Sequence, residues 1–128
     1  MFELTVETEF CAAHAIVIAG TREPNHGHNW RVTATIAGET LDADGLLCDF
    51  HEVERALKAI VSTMHNNDLN THRAFQNRNA SAENVAKHIF EELDRELDAK
   101  IAPRARVTAV RVTESVGCSA TYRRVVSR

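Results

Sequence analysis

Residues 25–37 read Asn25-His26-Gly27-His28-Asn29-Trp30-Arg31-Val32-Thr33-Ala34-Thr35-Ile36-Ala37. From residue 29 the side chains alternate. Trp30, Val32, Ala34 and Ile36 share one face, and Arg31, Thr33 and Thr35 share the other, which predicts a half-buried strand over 29–37. Residues two apart on an extended chain point the same way, so His26 and His28 aim two imidazoles at one point. Gly27 between them adds no side chain to crowd an ion held there. A strand with one core face and a histidine pair at its start sets what the rest of the chain must supply: a partner strand, a covering layer and a third ligand.

Moving towards the N-terminus, residues 19–27 form a loop punctuated by Gly20, Pro24 and Gly27. Glu23 sits inside it, three residues before His26. Residues 2–18 read as one long strand or a strand pair. Phe2, Leu4 and Val6 alternate with Glu3, Thr5 and Glu7, and Phe10, Ala12 and His14 continue the pattern. Ala12-Ala13 has poor strand propensity, which predicts a bulge or bend there. Those same small residues leave room around His14. Three neutral imidazoles with one open position are the ligand set of a catalytic zinc.

Towards the C-terminus, Gly38, Asp42, Asp44 and Gly45 mark a turn over 38–45. Asp49 suits a helix N-cap, where a carboxylate satisfies free amide donors and complements the helix dipole. Phe50, Val53, Leu57, Ile60, Val61 and Met64 then form one apolar stripe at helical spacing. Residues 65–72 are polar and end this helix, and no clear period follows until about Asn79. Ser81 is a second N-cap, with Val85, Ile89, Leu93 and Leu97 as the next stripe. Residues 105–114 alternate again, with Val110, Val112 and Glu114 on one face. Gly117 makes a turn, and Cys118, Ala120, Tyr122, Arg124 and Val126 lie along a last strand.

The order strand, strand, helix, helix, strand, strand predicts an α+β fold: a four-stranded antiparallel sheet with two helices on one face. At 128 residues the chain reads as one domain over 1–128, with no linker or repeat. Open sheet edges need covering or pairing, so a homo-oligomer is expected. The net charge of -3 gives no basic footprint for nucleic acid or an anionic membrane. No run approaches the roughly 20 apolar residues of a membrane span, and Met1-Phe2-Glu3-Leu4-Thr5 is unlike a signal peptide. Cys11, Cys48 and Cys118 are odd in number and fit no disulfide or cysteine-zinc spacing, which points to reduced thiols in the cytoplasm.

Three further residues carry candidate chemistry. A loop carboxylate such as Glu23 is ordinarily just solvated, but a short tether to His26 would make it a general acid or base. Glu114 on an apolar face needs a partner, and the paired N–H donors of a guanidine-like ligand edge would provide one. Cys48, beside a helix start, could have a lowered thiol pKa, although such cysteines are mostly packing residues. His51, His72 and His88 read as surface or capping residues.

Phe10-Cys11-Ala12-Ala13-His14, His26-Gly27-His28-Asn29-Trp30, Asp49-Phe50, Leu69-Asn70, Ser81-Ala82-Glu83-Asn84 and Thr113-Glu114 together resemble the 6-pyruvoyltetrahydropterin synthase / 6-carboxytetrahydropterin synthase family, in its order and over nearly the whole chain. The resemblance implies a tunnelling fold, with sheets joined into a barrel in a homohexamer, a dimer of trimers. It implies zinc on His14, His26 and His28, and a pterin held by Glu114 and Ser81, with Thr113 beside Glu114 in the same motif. The family's usual Cys-x-x-x-His-Gly-His has Arg22 at the cysteine position here. Its Asp-His before x-x-Leu-Asn is His65-Asn66. Glu23-Pro24-Asn25-His26-Gly27-His28 instead resembles a branch with Glu-x-x-His-Gly-His. That branch implies a lyase that shortens the side chain of 7,8-dihydroneopterin triphosphate to 6-hydroxymethyl-7,8-dihydropterin, a folate precursor. Glu23 would then move the proton, with His65 as a possible second base. The alternatives are a 6-carboxy- or 6-pyruvoyl-tetrahydropterin synthase with a substitute for the cysteine, and a pterin-binding protein without turnover.

Overall fold

In the computed structural model, which describes residues 1–126, the central pair of strands is β1 (Phe2–His14) and β4 (His26–Gly38). They run antiparallel in unbroken register from Phe2 opposite Gly38 to His14 opposite His26. No bulge interrupts Ala12-Ala13, contrary to the propensity argument. Ala12 is nearly buried, and its carbonyl accepts the Trp30 indole N–H at 3.2 Å. The small side chain is what allows the indole that close, so tertiary packing overrides propensity here.

Between them, β2 (Val17–Ile18) and β3 (Thr21–Arg22) form a two-residue hairpin separate from the main sheet. Ala19 and Gly20 take positive φ at its tip. After β4 come α1 (Phe50–Ser62), β5 (Asn67–Asp68), two 3-10 turns (Leu69–Thr71 and Arg73–Phe75), α2 (Ala82–Ile101), β6 (Arg106–Ser115) and β7 (Cys118–Arg123). The sheet order is β5-β1-β4-β6-β7. The four long strands are antiparallel, as the alternation predicts. A short parallel fifth strand, β5, adds to the free edge of β1. Asn66 makes this possible by taking a left-handed φ of 59°, turning its N–H onto the Cys11 carbonyl at 2.6 Å. The last strand stops at Arg123, short of Arg124 and Val126, and residues 127–128 of the expected domain lie outside the described part.

Both helices begin where their caps predict. The Asp49 carboxylate accepts the His51 N–H, and the Ser81 hydroxyl accepts the Asn84 N–H. Val53, Leu57, Ile60 and Val61 of α1 and Val85, Ile89, Leu93 and Leu97 of α2 are buried against the sheet face bearing Trp30, Val32, Ala34 and Ile36. Phe50 departs from the expected stripe and stands half exposed. Large apolar side chains buried this fully each contribute about 1.5–3 kcal/mol. Trp30 stacks on Phe10 at 5.7 Å, so the end of the core next to the histidines is an aromatic floor.

Candidate metal centre and adjoining cleft

Strand register brings the three histidines together. His14 and His26 are direct cross-strand partners, and His28 lies two residues along β4 on the same face. Ring centroids are 4.7 Å apart for His14–His26 and His26–His28, and 5.1 Å for His14–His28. Trp30 meets His14 and His28 edge-on at 4.9 and 5.6 Å and holds both rings from below.

Backbone carbonyls fix which nitrogen faces the centre. His14 Nδ1 lies 2.7 Å from the Ala80 carbonyl, and His26 Nδ1 lies 2.9 Å from the Pro24 carbonyl. A carbonyl oxygen only accepts, so each Nδ1 carries hydrogen and the lone pair of the neutral ring falls on Nε2. This is the arrangement that orients histidine ligands on a metal. Burial holds His28 below its ordinary value, outweighing the nearby Glu114 carboxylate, which keeps this ring neutral near pH 7.

His14 Nε2 and His28 Nε2 are buried and accept no hydrogen bond among the described residues. Such atoms are rare in folded proteins and call for an explanation. The three histidines can present ligand atoms within 4.8 Å of one another, and they are the one such group among the described residues. Tetrahedral zinc wants nitrogens about 3.3 Å apart, given Zn–N bonds of about 2.0–2.1 Å. The 4.8 Å within which all three ligand atoms lie is of that order, and His26 is the most exposed of the three. The donor set therefore fits a zinc-type cation.

Two carboxylates approach the cluster. Glu114 Oε1 is 3.0 Å from His14 Nε2, at an angle that makes no hydrogen bond, and 3.9 Å from His28 Nε2. Glu114 sits where the β6–β7 register shifts between Thr113 and Ser115, an irregularity of the kind that re-aims side chains beside active sites. It also lines an open cleft of about 560 Å³ with Ala82, Glu83, Gly117, Ser119 and Thr121. Glu23 Oε1 lies 3.9 Å from His26 Nε2 and accepts the Ile16 N–H at 3.1 Å.

The remaining candidates lie further out. Ser81 caps α2 next to the cleft. Thr113 follows strand alternation onto the opposite sheet face from Glu114, in register with Arg31. His65 Nδ1 accepts the Cys11 N–H at 3.1 Å. Cys11 is three residues before His14, about 10 Å along an extended strand, so this bond places His65 at the edge of β1 and not among the three histidines. Cys48 is buried and its thiol is pushed up by that burial, the wrong direction for a nucleophile. His72 and His88 meet in a separate groove between the helices that shares no residue with the cluster. Sequence reasoning missed Asn79, Ala80 and Pro24, whose contributions are made through long-range polar contacts and backbone carbonyls.

A two-helix layer on an antiparallel sheet, with three imidazoles converging at one end beside two carboxylates, defines a small α+β protein with a cluster that could hold a metal ion. Residues 3–125 match the family model described as 6-pyruvoyl tetrahydropterin synthase, and the chain belongs to that family. It is 34% identical over 104 residues to a 6-carboxy-5,6,7,8-tetrahydropterin synthase of Bacillus subtilis (strain 168), covering 76% of this chain and 68% of that one. The fold matches the solved 6-pyruvoyl tetrahydropterin synthase of Caenorhabditis elegans at a TM-score of 0.79 and 20% identity, with 98% of each chain covered. The Plasmodium vivax 6-pyruvoyltetrahydropterin synthase matches equally well, at a TM-score of 0.79, 22% identity and 98% of each chain.

Proposed function

We propose that this chain is a zinc-dependent lyase that cleaves the side chain of 7,8-dihydroneopterin triphosphate to give 6-hydroxymethyl-7,8-dihydropterin. Its coarse part follows from the family, whose relatives make it a tetrahydropterin synthase-like lyase of pterin metabolism. The observation that carries the finer part is Glu23. Its carboxylate lies 3.9 Å from His26 Nε2, while Arg22 occupies the position of the family's usual cysteine. Two solved structures of the Plasmodium vivax relative have a catalytic glutamate replaced by alanine or cysteine, so a glutamate acts in catalysis in that protein.

His14, His26 and His28 would hold the zinc, which would supply Lewis acidity towards the oxygens of the substrate side chain. Glu114 accepts the paired N–H donors of the amino-pyrimidinone edge, a bidentate fit, and Ser81 adds a hydroxyl at the start of α2. Glu23 removes the proton of the hydroxyl on the second side-chain carbon. The bond between the first and second carbons then breaks, leaving an aldehyde fragment, and Glu23 returns the proton to the first carbon. Ile16 N–H keeps the Glu23 carboxylate oriented through both transfers.

The free edge of β7 supports the homohexamer of joined sheets, and residues 1–128 act as one pterin-binding unit. Three free thiols suit a cytoplasmic site of action. No helix among the described residues is long and apolar enough to cross a membrane.

The test is incubation of the purified, zinc-loaded protein with 7,8-dihydroneopterin triphosphate and identification of the product by mass. Glu23→Ala should abolish turnover and leave zinc content unchanged. Absence of any new pterin at any zinc loading would overturn the enzyme reading and favour a binding protein. The Bacillus subtilis relative favours a second reading, in which the same cleft makes a 6-carboxytetrahydropterin with Glu23 in place of the cysteine. Product mass separates the two.

A further inference from the structure

One dipeptide, Asn79-Ala80, touches both the histidine cluster and the Glu23 loop. Its Ala80 carbonyl accepts from His14 Nδ1. The Asn79 side chain reaches the other way. Its Oδ1 accepts the Val17 N–H at 2.9 Å, and its Nδ2 donates to the Val17 carbonyl at 2.9 Å. One primary amide thus satisfies both backbone groups of one residue, as a neighbouring strand would. The Asn79 carbonyl in turn accepts from Asn84 Nδ2 at 2.9 Å, which ties it to the first turn of α2.

Beside Val17, Ile16 continues the link. Its N–H donates to Glu23 Oε1 at 3.1 Å, and its carbonyl accepts the Glu23 N–H at 3.0 Å. The hairpin's base is held by buried Ala15 and by the end of the β1–β4 ladder, but its tip is less fixed. Val17 and Ile18 are exposed, so burial does not fix it. At its far end, Asn25 meets Asp68 and Asn70 through longer bonds of 3.3 Å. The shortest polar route from the helical layer to Glu23 therefore runs through Asn79.

We propose that Asn79 is the positioning residue for Glu23: it docks Val17 so that the Glu23 carboxylate stands at a fixed distance from His26. The proposal rests on Glu23 being the proton-transfer residue. Misplacing a reacting group by about 1 Å can cost about 100-fold in rate. Loss of the clamp leaves the histidines and Glu114 where they are, so the effect falls on turnover and not on binding.

The experiment compares Asn79→Ala, Asn79→Asp and Glu23→Gln in the full-length, zinc-loaded protein, with 7,8-dihydroneopterin triphosphate as substrate. Asn79→Ala should lower kcat by about 10- to 100-fold, with KM within about twofold and zinc content unchanged. Hydrogen exchange at the Ile16 and Glu23 amides should speed up in the same variant. Asn79→Asp keeps the acceptor for Val17 N–H and should fall between wild type and Asn79→Ala, which also covers the case in which the alanine variant fails to fold. Unchanged kcat in Asn79→Ala beside an inactive Glu23→Gln overturns the positioning role. An active Glu23→Gln overturns the functional reading instead, and unchanged amide exchange then overturns the clamp on its own. A fall in zinc content that tracks the fall in kcat would assign the effect to His14 and overturn the proposal.

Discussion

Removing His26 tests the metal centre with the least disturbance to the fold. His14 is a poor target, because it is 1% exposed and its loss opens a cavity and strips the Ala80 carbonyl of its partner. The His26 side chain is 40% exposed, and its one hydrogen bond is to the Pro24 carbonyl. His26→Ala should therefore cost about 1 kcal/mol or less without metal. With about 2.1 cal/mol/K of unfolding entropy per residue, 128 residues give about 0.27 kcal/mol/K, so each kcal/mol moves Tm by about 4 °C. Zinc at about 100 times its Kd adds about 2.7 kcal/mol, a rise of about 10 °C for the native protein. Losing even the hydrogen-bond partner of a metal-bound histidine costs up to about 100-fold in affinity, and losing the ligand itself costs at least as much. At the same zinc concentration His26→Ala should then gain only about 0.4 kcal/mol, under about 2 °C. The assay is a thermal melt of chelator-stripped protein, with and without zinc, for both chains. Equal zinc shifts in both would place the ion elsewhere and refute the centre, as would the absence of any shift in the native protein.

Other perturbations probe the scaffold. Gly38→Ala should destabilise by about 1–3 kcal/mol, because the added Cβ would meet the Arg104 carbonyl oxygen and lie 2.7 Å from Leu47 Cδ1. A Tm unchanged to within a degree would show that this corner yields freely. Trp30→Ala should cost about 3–5 kcal/mol through the lost aromatic floor and should weaken zinc binding as well, since the indole supports His14 and His28; calorimetry with zinc reads both. Burial holds His88 and His72 below their ordinary value of 6.5. The unfolded chain therefore takes up these protons first as pH falls. Stability should be fully present above about pH 6.5 and decline below it until the folded rings protonate too, so urea midpoints between pH 5 and 8 should flatten in His88→Gln.

The parts of this fold that could be read from sequence are those set by local periodicity and caps. Alternation from Trp30 to Ile36 identifies a core face, and all four of those residues are fully buried. Asp49 and Ser81 mark both helix starts because an N-cap acts on amides two or three residues away. The pairing of His14 with His26 is partly legible, because two alternating strands joined by a punctuated loop suggest an antiparallel pair. Residues 65–79 are a different case. Their structure is decided by single polar contacts with residues far away in sequence: His65 and Asn66 on Cys11, Asn79 on Val17. Such bonds leave no period to find, since an asparagine that clamps a backbone 62 residues away looks like any loop asparagine.

The same distinction separates the two halves of the site. Strand register alone converges the three histidines, so any sequence that keeps β1 and β4 paired from Phe10 opposite Trp30 to His14 opposite His26 keeps the cluster. Glu23 lies outside that register, on a hairpin whose two strands are two residues each and whose apolar side chains face solvent. Its carboxylate stands 3.9 Å from His26 Nε2 through the polar relay from Asn84 to Asn79, Val17 and Ile16. The geometry of the histidine cluster and the placement of Glu23 are therefore set by different parts of the fold. Changes in the relay should move the Glu23 carboxylate while His14, His26 and His28 stay as they are.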